Sequence, residues 1–68
     1  MKYYIEIDAD NDAFYQNGPA TEIRRLLGEI AFRVESFSFE HEENEFPIKD
    51  INGNKVGVHG YKEGPFED

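Results

Sequence analysis

The chain has no cysteine and no tryptophan, only three prolines, and few basic residues, with seven Lys and Arg against fifteen Asp and Glu. Without cysteine it can build no disulfide framework, thiolate metal site or cysteine nucleophile, which fits a reducing compartment. No apolar run approaches the ~18 residues of a membrane span. The opening MKYYIEIDAD lacks the apolar core of a signal peptide. A cytoplasmic protein with no membrane partner is expected. The shortage of positive charge leaves a net −8. Such a surface repels the phosphate backbone, so no direct nucleic-acid contact is expected either. This much charge favours disorder only in a chain poor in apolar residues, and here 38% are hydrophobic and 15% aromatic. The 68 residues suffice for one small domain.

Within that domain the patterns are clear. Lys2 to Asp8 alternates, with Tyr3, Ile5 and Ile7 on one face and Lys2, Tyr4, Glu6 and Asp8 on the other. Period two with aromatic and β-branched residues predicts a half-buried strand. Turn formers Asp8 to Asp12 follow, and Phe14 and Tyr15 are expected to fold back onto the core. Asn17 or Gly18 can cap a helix that starts at Pro19, whose missing N–H costs nothing in a first turn. Ala20, Ile23, Leu26, Leu27, Ile30, Ala31, Val34 and Phe37 then recur at helical spacing. A helix over about 19–36 is expected, with 36–40 either its frayed end or a short strand. Charged residues 41–45 link to a hairpin, where a two-residue turn at Gly53-Asn54 would pair Ile51 with Val56 and set Val58 on the same face. Pro47 marks a strand start or an edge. The expected fold class is α+β in two layers, one helix packed on a three-stranded antiparallel sheet in the order β-α-β-β. Residues 1–63 form this single domain, and 64–68 are expected to be a loose tail.

Few residues carry recognisable chemistry. Asp8-x-Asp10-x-Asp12 begins like a calcium loop, but Ala13 and Pro19 stand where that loop needs glycine and a bidentate glutamate. Asp50-x-Asn52-x-Asn54 fails in the same way, with Lys55 and Tyr61, and both runs read as turn chemistry. His41 lies between glutamates, and His59 is far from it in sequence, without the spacing of a metal pair. Ser36 and Ser38, the only serines, lack a nucleophile-elbow motif, and no glycine-rich phosphate loop is present. No catalytic residue, metal or cofactor is expected.

Two features remain. Asp8, Asp10 and Asp12 form one acidic cluster, and Glu40, Glu42, Glu43 and Glu45 form another. Carboxylates at i and i+2 of an extended chain lie about 6.5–7 Å apart, comparable with successive phosphates of a nucleic-acid strand. Such an array can occupy the basic groove of a nucleic-acid-binding protein, and opposite charge speeds the encounter. Phe32, at about 100° per residue, falls on the helix face opposite the apolar stripe, together with Arg25, Gly28 and Glu29. That face is a candidate contact for self-association as a homodimer.

Tyr3-Tyr4-Ile5-Glu6-Ile7, Asn11-Asp12-Ala13-Phe14, the helix Ile23-Arg24-Arg25-Leu26-Leu27-Gly28-Glu29-Ile30-Ala31, and above all Asp50-Ile51-Asn52-Gly53-Asn54-Lys55-Val56-Gly57 resemble a group of small phage and prophage accessory proteins with a strand–helix core and a similar hairpin. The stretch from Phe37 to Phe46 departs from their pattern. The resemblance implies a chain acting inside an infected or prophage-carrying bacterium. It further implies an inhibitor of host defence, anti-CRISPR-like, bound to a defence protein that itself handles nucleic acid. The alternative is a self-associating structural or regulatory phage protein.

Overall fold

The alternation of Lys2–Ile7 does form a strand, β1, in a computed structural model that describes residues 1–63. The expected tail at 64–68 lies outside the described residues. A one-turn helix α1 (Ala13–Gln16), the main helix α2 (Pro19–Val34), and strands β2 (Glu43–Lys49) and β3 (Lys55–Lys62) complete the order. The sheet order is β1-β3-β2, antiparallel throughout, with α2 laid across one face. The fold is therefore the expected two-layer α+β arrangement. No helix among the described residues is long and apolar enough to cross a membrane.

Register decides which residues share a face. β1 meets β3 from Lys2↔Lys62 to Ile7↔Gly57, and β2 meets it from Glu43↔Lys62 to Ile48↔Gly57. Opposed residues of an antiparallel pair point to the same side. Tyr3, Ile5, Ile7, Phe46, Ile48, His59 and Tyr61 thus share the helix side. Lys2, Tyr4, Glu6, Glu43, Glu45, Val58 and Gly60 share the open side. The core beneath α2 is built from Ala13, Phe14, Leu26, Ile30, Ile48 and Val56, with Ile7, Ala9, Ile23 and Val34 packed around them.

Several local expectations need correction. Tyr15 does not join the core: it is 66% exposed while Phe14 is fully buried. Ala13 and Phe14 take the inward side of this single turn, and Tyr15, about 100° further round, points out. Its start is fixed by Asn11, whose Oδ1 accepts the Ala13 N–H (3.1 Å). The apolar stripe of α2 is rotated from its expected centre. Leu26, Ile30 and the charged Glu22 are buried, whereas Ala20, Leu27 and Ala31 face solvent. Glu22 lies on the inward side, where it holds another segment, as described below.

Gly18, not Asn17, caps α2, and its φ of 87° is open to glycine at no steric cost. The helix stops at Val34 rather than near residue 36. Ser36 N–H and Phe37 N–H reach the carbonyls of Arg33 and Val34, three residues back, and the Ser36 hydroxyl donates to the same Arg33 carbonyl (2.8 Å). Tight bonds and a competing hydroxyl close the last turn. Residues 37–40 then form neither helix nor strand.

The hairpin also differs. A five-residue loop, 50–54, replaces the two-residue turn: Gly53 N–H donates to the Asp50 carbonyl (3.0 Å) and Asp50 N–H to the Asn54 carbonyl (2.9 Å). Ile51 pairs with nothing on β3 and is 59% exposed. Lys49 is opposed to Lys55 and Ile48 to Gly57, which leaves Val56 as the extra residue of a β-bulge. The bulge turns Val56 into the core while Val58 keeps to the open side, so the two valines do not share a face.

Candidate partner-binding surface

Strand alternation puts Glu43 and Glu45 of β2 and Glu6 of β1 on the open face, and Asp8 continues the same side just beyond β1. Between them the central strand offers Val58 and Gly60 and, at the end beside Glu43 and Lys2, the exposed Lys62, so the rim is acidic except at that end. Tyr4 reaches across this face: its hydroxyl donates to Glu45 Oε2 (2.8 Å). That bond, with partial burial and the charges of Glu45 and Glu43, raises the Tyr4 hydroxyl above its ordinary value. The phenol stays protonated as a donor and ties the two edge strands together over Gly60. Residue 60 is glycine because a Cβ there would run into the Asn44 carbonyl oxygen of β2, and it would also sit 2.9 Å from Glu45 Cα and 3.0 Å from the Tyr4 oxygen.

All seven carboxylates singled out from the sequence, Asp8, Asp10, Asp12, Glu40, Glu42, Glu43 and Glu45, are exposed. They do not form one patch. The Asp cluster follows the C-terminal end of β1, and the Glu cluster opens β2 beside the N-terminal end of β1. A strand of six residues separates them, about 20 Å. Glu6 lies between and links them along the open face, a residue the sequence argument left out because it is a single charge in an alternating strand. Asp10 shares a hydrogen bond with Asp8, and that bond and the Asp8 charge push its carboxyl above the ordinary value. Crowded, solvated like charges of this kind are relieved by an approaching cation. Among the described residues, no group of three His, Asp or Glu side chains could hold a metal ion.

The residues expected to serve self-association lie on α2. Phe32 is 80% exposed, and Gly28 faces open space, with nothing within 4 Å of where a Cβ would stand. Arg25 is already engaged. Its Nε and Nη2 donate to Glu22 (2.7 and 3.0 Å), and its Nη1 pairs with Glu29 (3.1 Å).

Two buried constellations escaped the sequence reading. In the first, Asp50 is only 5% exposed and its Oδ1 accepts the N–H groups of Asn52 (2.8 Å) and Asn54 (2.9 Å), while Asn11 Nδ2 donates to its Oδ2 (2.5 Å). The Asp-x-Asn-x-Asn spacing is turn chemistry, as expected, with the acidic residue turned inward as the acceptor. Burial works against the Asp50 charge, but the bonds from Asn54, Asn11 and Asn52 outweigh it and lower its pKa. Beside it, Glu22 accepts the Ile51 N–H (3.1 Å), and its pKa is lowered chiefly by Arg25. Loop 8–12, helix α2 and loop 50–54 are joined through these two carboxylates.

In the second, His59 is 1% exposed at the centre of the helix side, surrounded by Tyr3, Phe37, Phe46 and, one ring further, Phe39 and Tyr61. The Tyr3 hydroxyl and His59 Nδ1 are hydrogen-bonded to each other (2.5 Å). Phe39 takes φ 55° to reach this cluster, a left-handed conformation that costs a bulky residue about 1–2 kcal/mol. Contacts with Tyr61 (4.7 Å between ring centres), Phe37 and Tyr3 offset that cost. Burial, with the Arg33 charge, lowers the His59 pKa.

A pH dependence follows. Below the ordinary value of 6.5 an unfolded histidine takes a proton that folded His59 refuses. Stability is therefore expected to fall as pH drops from 6.5 toward the folded value, by at most about 1.4 kcal/mol per pH unit. Glu22 and Asp50 act lower. Their contribution is complete above the ordinary values of 4.5 and 3.8 and is lost as pH falls through their folded values. Urea titrations from pH 8 to pH 3 should show both phases, and His59→Phe should remove the upper one alone. An unchanged upper phase in that variant would exclude His59 as its source.

No family model, no curated protein and no solved structure matches the chain. The class defined by fold and surface is a small two-layer α+β protein with an acidic open sheet.

Proposed function

We propose that this chain is a protein-binding inhibitor whose open sheet face docks on the basic, nucleic-acid-binding surface of a partner. The supporting observation is the set of exposed carboxylates Asp8, Glu6, Glu45 and Glu43 on one face of the sheet, with Tyr4 holding Glu45 in place across Gly60. Rigid, pre-placed carboxylates at strand spacing lose little entropy on meeting a row of Arg and Lys side chains. The net charge of −8 speeds that encounter at low salt. The biological setting, inhibition of a bacterial defence system in the anti-CRISPR manner, rests on the hairpin resemblance to phage accessory proteins. The partner is then a host defence protein inside the infected bacterium.

The test begins with tagged chain as bait in lysate from defence-carrying cells and mass spectrometry of what it retains. With the retained protein purified, Asp8→Lys combined with Glu43→Lys should weaken association by at least about tenfold, mainly through a slower on-rate. Added salt should weaken the wild type. The partner's own nucleic acid should compete. A retained protein whose affinity is indifferent to charge reversal, salt and nucleic acid overturns the reading.

A further inference from the structure

The two edges of the sheet are built differently. The β2 edge carries Pro47, which offers no N–H, a bulge near Lys49, and two glutamates. These are the devices by which sheet edges are kept from pairing. The β1 edge, Lys-Tyr-Tyr-Ile-Glu-Ile, has no proline and no bulge, and no strand lies beyond it among the described residues.

The direction of its free backbone groups can be read off. Asp8 N–H donates to the Val56 carbonyl (2.7 Å), which continues the β1–β3 register by one pair. Backbone groups of an antiparallel strand alternate sides, so Glu6, Tyr4 and Lys2 face β3 while Tyr3, Ile5 and Ile7 turn their N–H and C=O outward. An added strand must pair with those three.

We propose that β1 is a self-complementary edge, and that two copies of this chain pair antiparallel through it about a two-fold axis at Tyr4. In that register Tyr3 and Ile5, both with outward backbone groups, oppose the partner's Ile5 and Tyr3. On the open face Lys2 stands opposite the partner's Glu6, Glu6 opposite the partner's Lys2, and Tyr4 opposite its own copy. On the helix side Met1 meets the partner's Ile7. Every opposed pair is oppositely charged, aromatic or apolar. A shift by one residue sets Lys2 against Ile7 and Tyr3 against Glu6 and turns the two helices to opposite sides. Ile5 explains itself in this arrangement. It lies on the helix side of the sheet yet is 44% exposed, and Met1 is 63% exposed. The partner's Tyr3 and Ile7 cover them. The two Lys–Glu pairs at the axis offset part of the repulsion between chains of net charge −8. Two three-stranded sheets then become one, with the acidic rows of both copies on a shared open face. The pairing does not depend on the function proposed above.

Sedimentation equilibrium across about 1 to 500 µM protein should find a dimer. Lys2→Glu and Glu6→Lys should each weaken it by about tenfold or more, and the double exchange should restore it to within about threefold of wild type. A register shifted by two residues pairs Lys2 with Asp8, and the double exchange would then restore nothing. Ile5→Pro, which removes an outward N–H and no bond to β3, should give a monomer with unchanged circular dichroism. If that variant fails to fold, the charge exchange decides. A monomeric wild type, a double exchange without rescue, or a dimer broken by Phe32→Glu but not by the β1 variants each overturns the proposal.

Discussion

Phe14→Ala is expected to leave the chain unfolded at room temperature. The ring is fully buried in a core whose other members are Ala13, Leu26, Ile30, Ile48 and Val56. Truncating such a ring costs about 3–5 kcal/mol, the transfer of its atoms plus the cavity left behind. A domain of this size without disulfide or metal holds only ~3–5 kcal/mol in total. Loss and reserve are equal, so no cooperative urea transition should remain. Tyr15→Ala, one residue on and solvent-facing, should change stability by less than about 0.5 kcal/mol. A Phe14→Ala protein with a normal transition would mean that the site collapses around the smaller side chain, and that the core is looser than its burial indicates.

Gly57→Ala should be nearly as damaging for an unrelated reason. A Cβ at residue 57 would run into the Glu6 carbonyl oxygen, with the Glu6 carbonyl carbon 2.9 Å and Ile7 Cα 3.0 Å away. All three are backbone atoms of the neighbouring strand, so no side chain can swing aside. Relief requires β1 and β3 to separate where the bulge already interrupts β2–β3 pairing, at a cost of at least about 3 kcal/mol. Gly28→Ala gives the contrast. It meets nothing and removes a helix-interior glycine, so it should raise stability by about 0.5–1 kcal/mol. Thermal unfolding followed at the far-ultraviolet helix band separates the two. A Gly57→Ala chain melting with the wild type would show that the strands do not approach as closely as described.

What was legible in the sequence was whatever rests on local period. The alternation of Lys2 to Ile7, the helical recurrence from Ile23 to Val34 and the Pro19 start need only neighbours along the chain. What was not legible depends on residues brought from far away. Glu22 reads as a solvated first-turn glutamate until a loop 29 residues later presents the Ile51 N–H to it. Val56 and Val58 read as one face because a bulge leaves no trace in a two-residue period. His59, alternating among glycines, gives no sign that Phe37, Phe39 and Phe46 close over it. The acidic clusters were visible as composition, but their separation to opposite ends of β1, with Glu6 between, is a property of the sheet and not of either run.

The central position of β3 has a consequence for the order of events as the protein is made. Lys2 pairs with Lys62, and among the described residues the sheet is closed only by β3, which follows both of its neighbours in the chain. β1 and β2 never touch each other as partners, so a growing chain that has completed both still has no ladder at all. Helix α2 meanwhile has no sheet to cover, and its apolar stripe waits in the open. Assembly must therefore be a single late event, slowed by the long loop that has to close first. During that delay β1, whose one lysine and one glutamate cancel, is exposed with its backbone unpaired on every nascent copy.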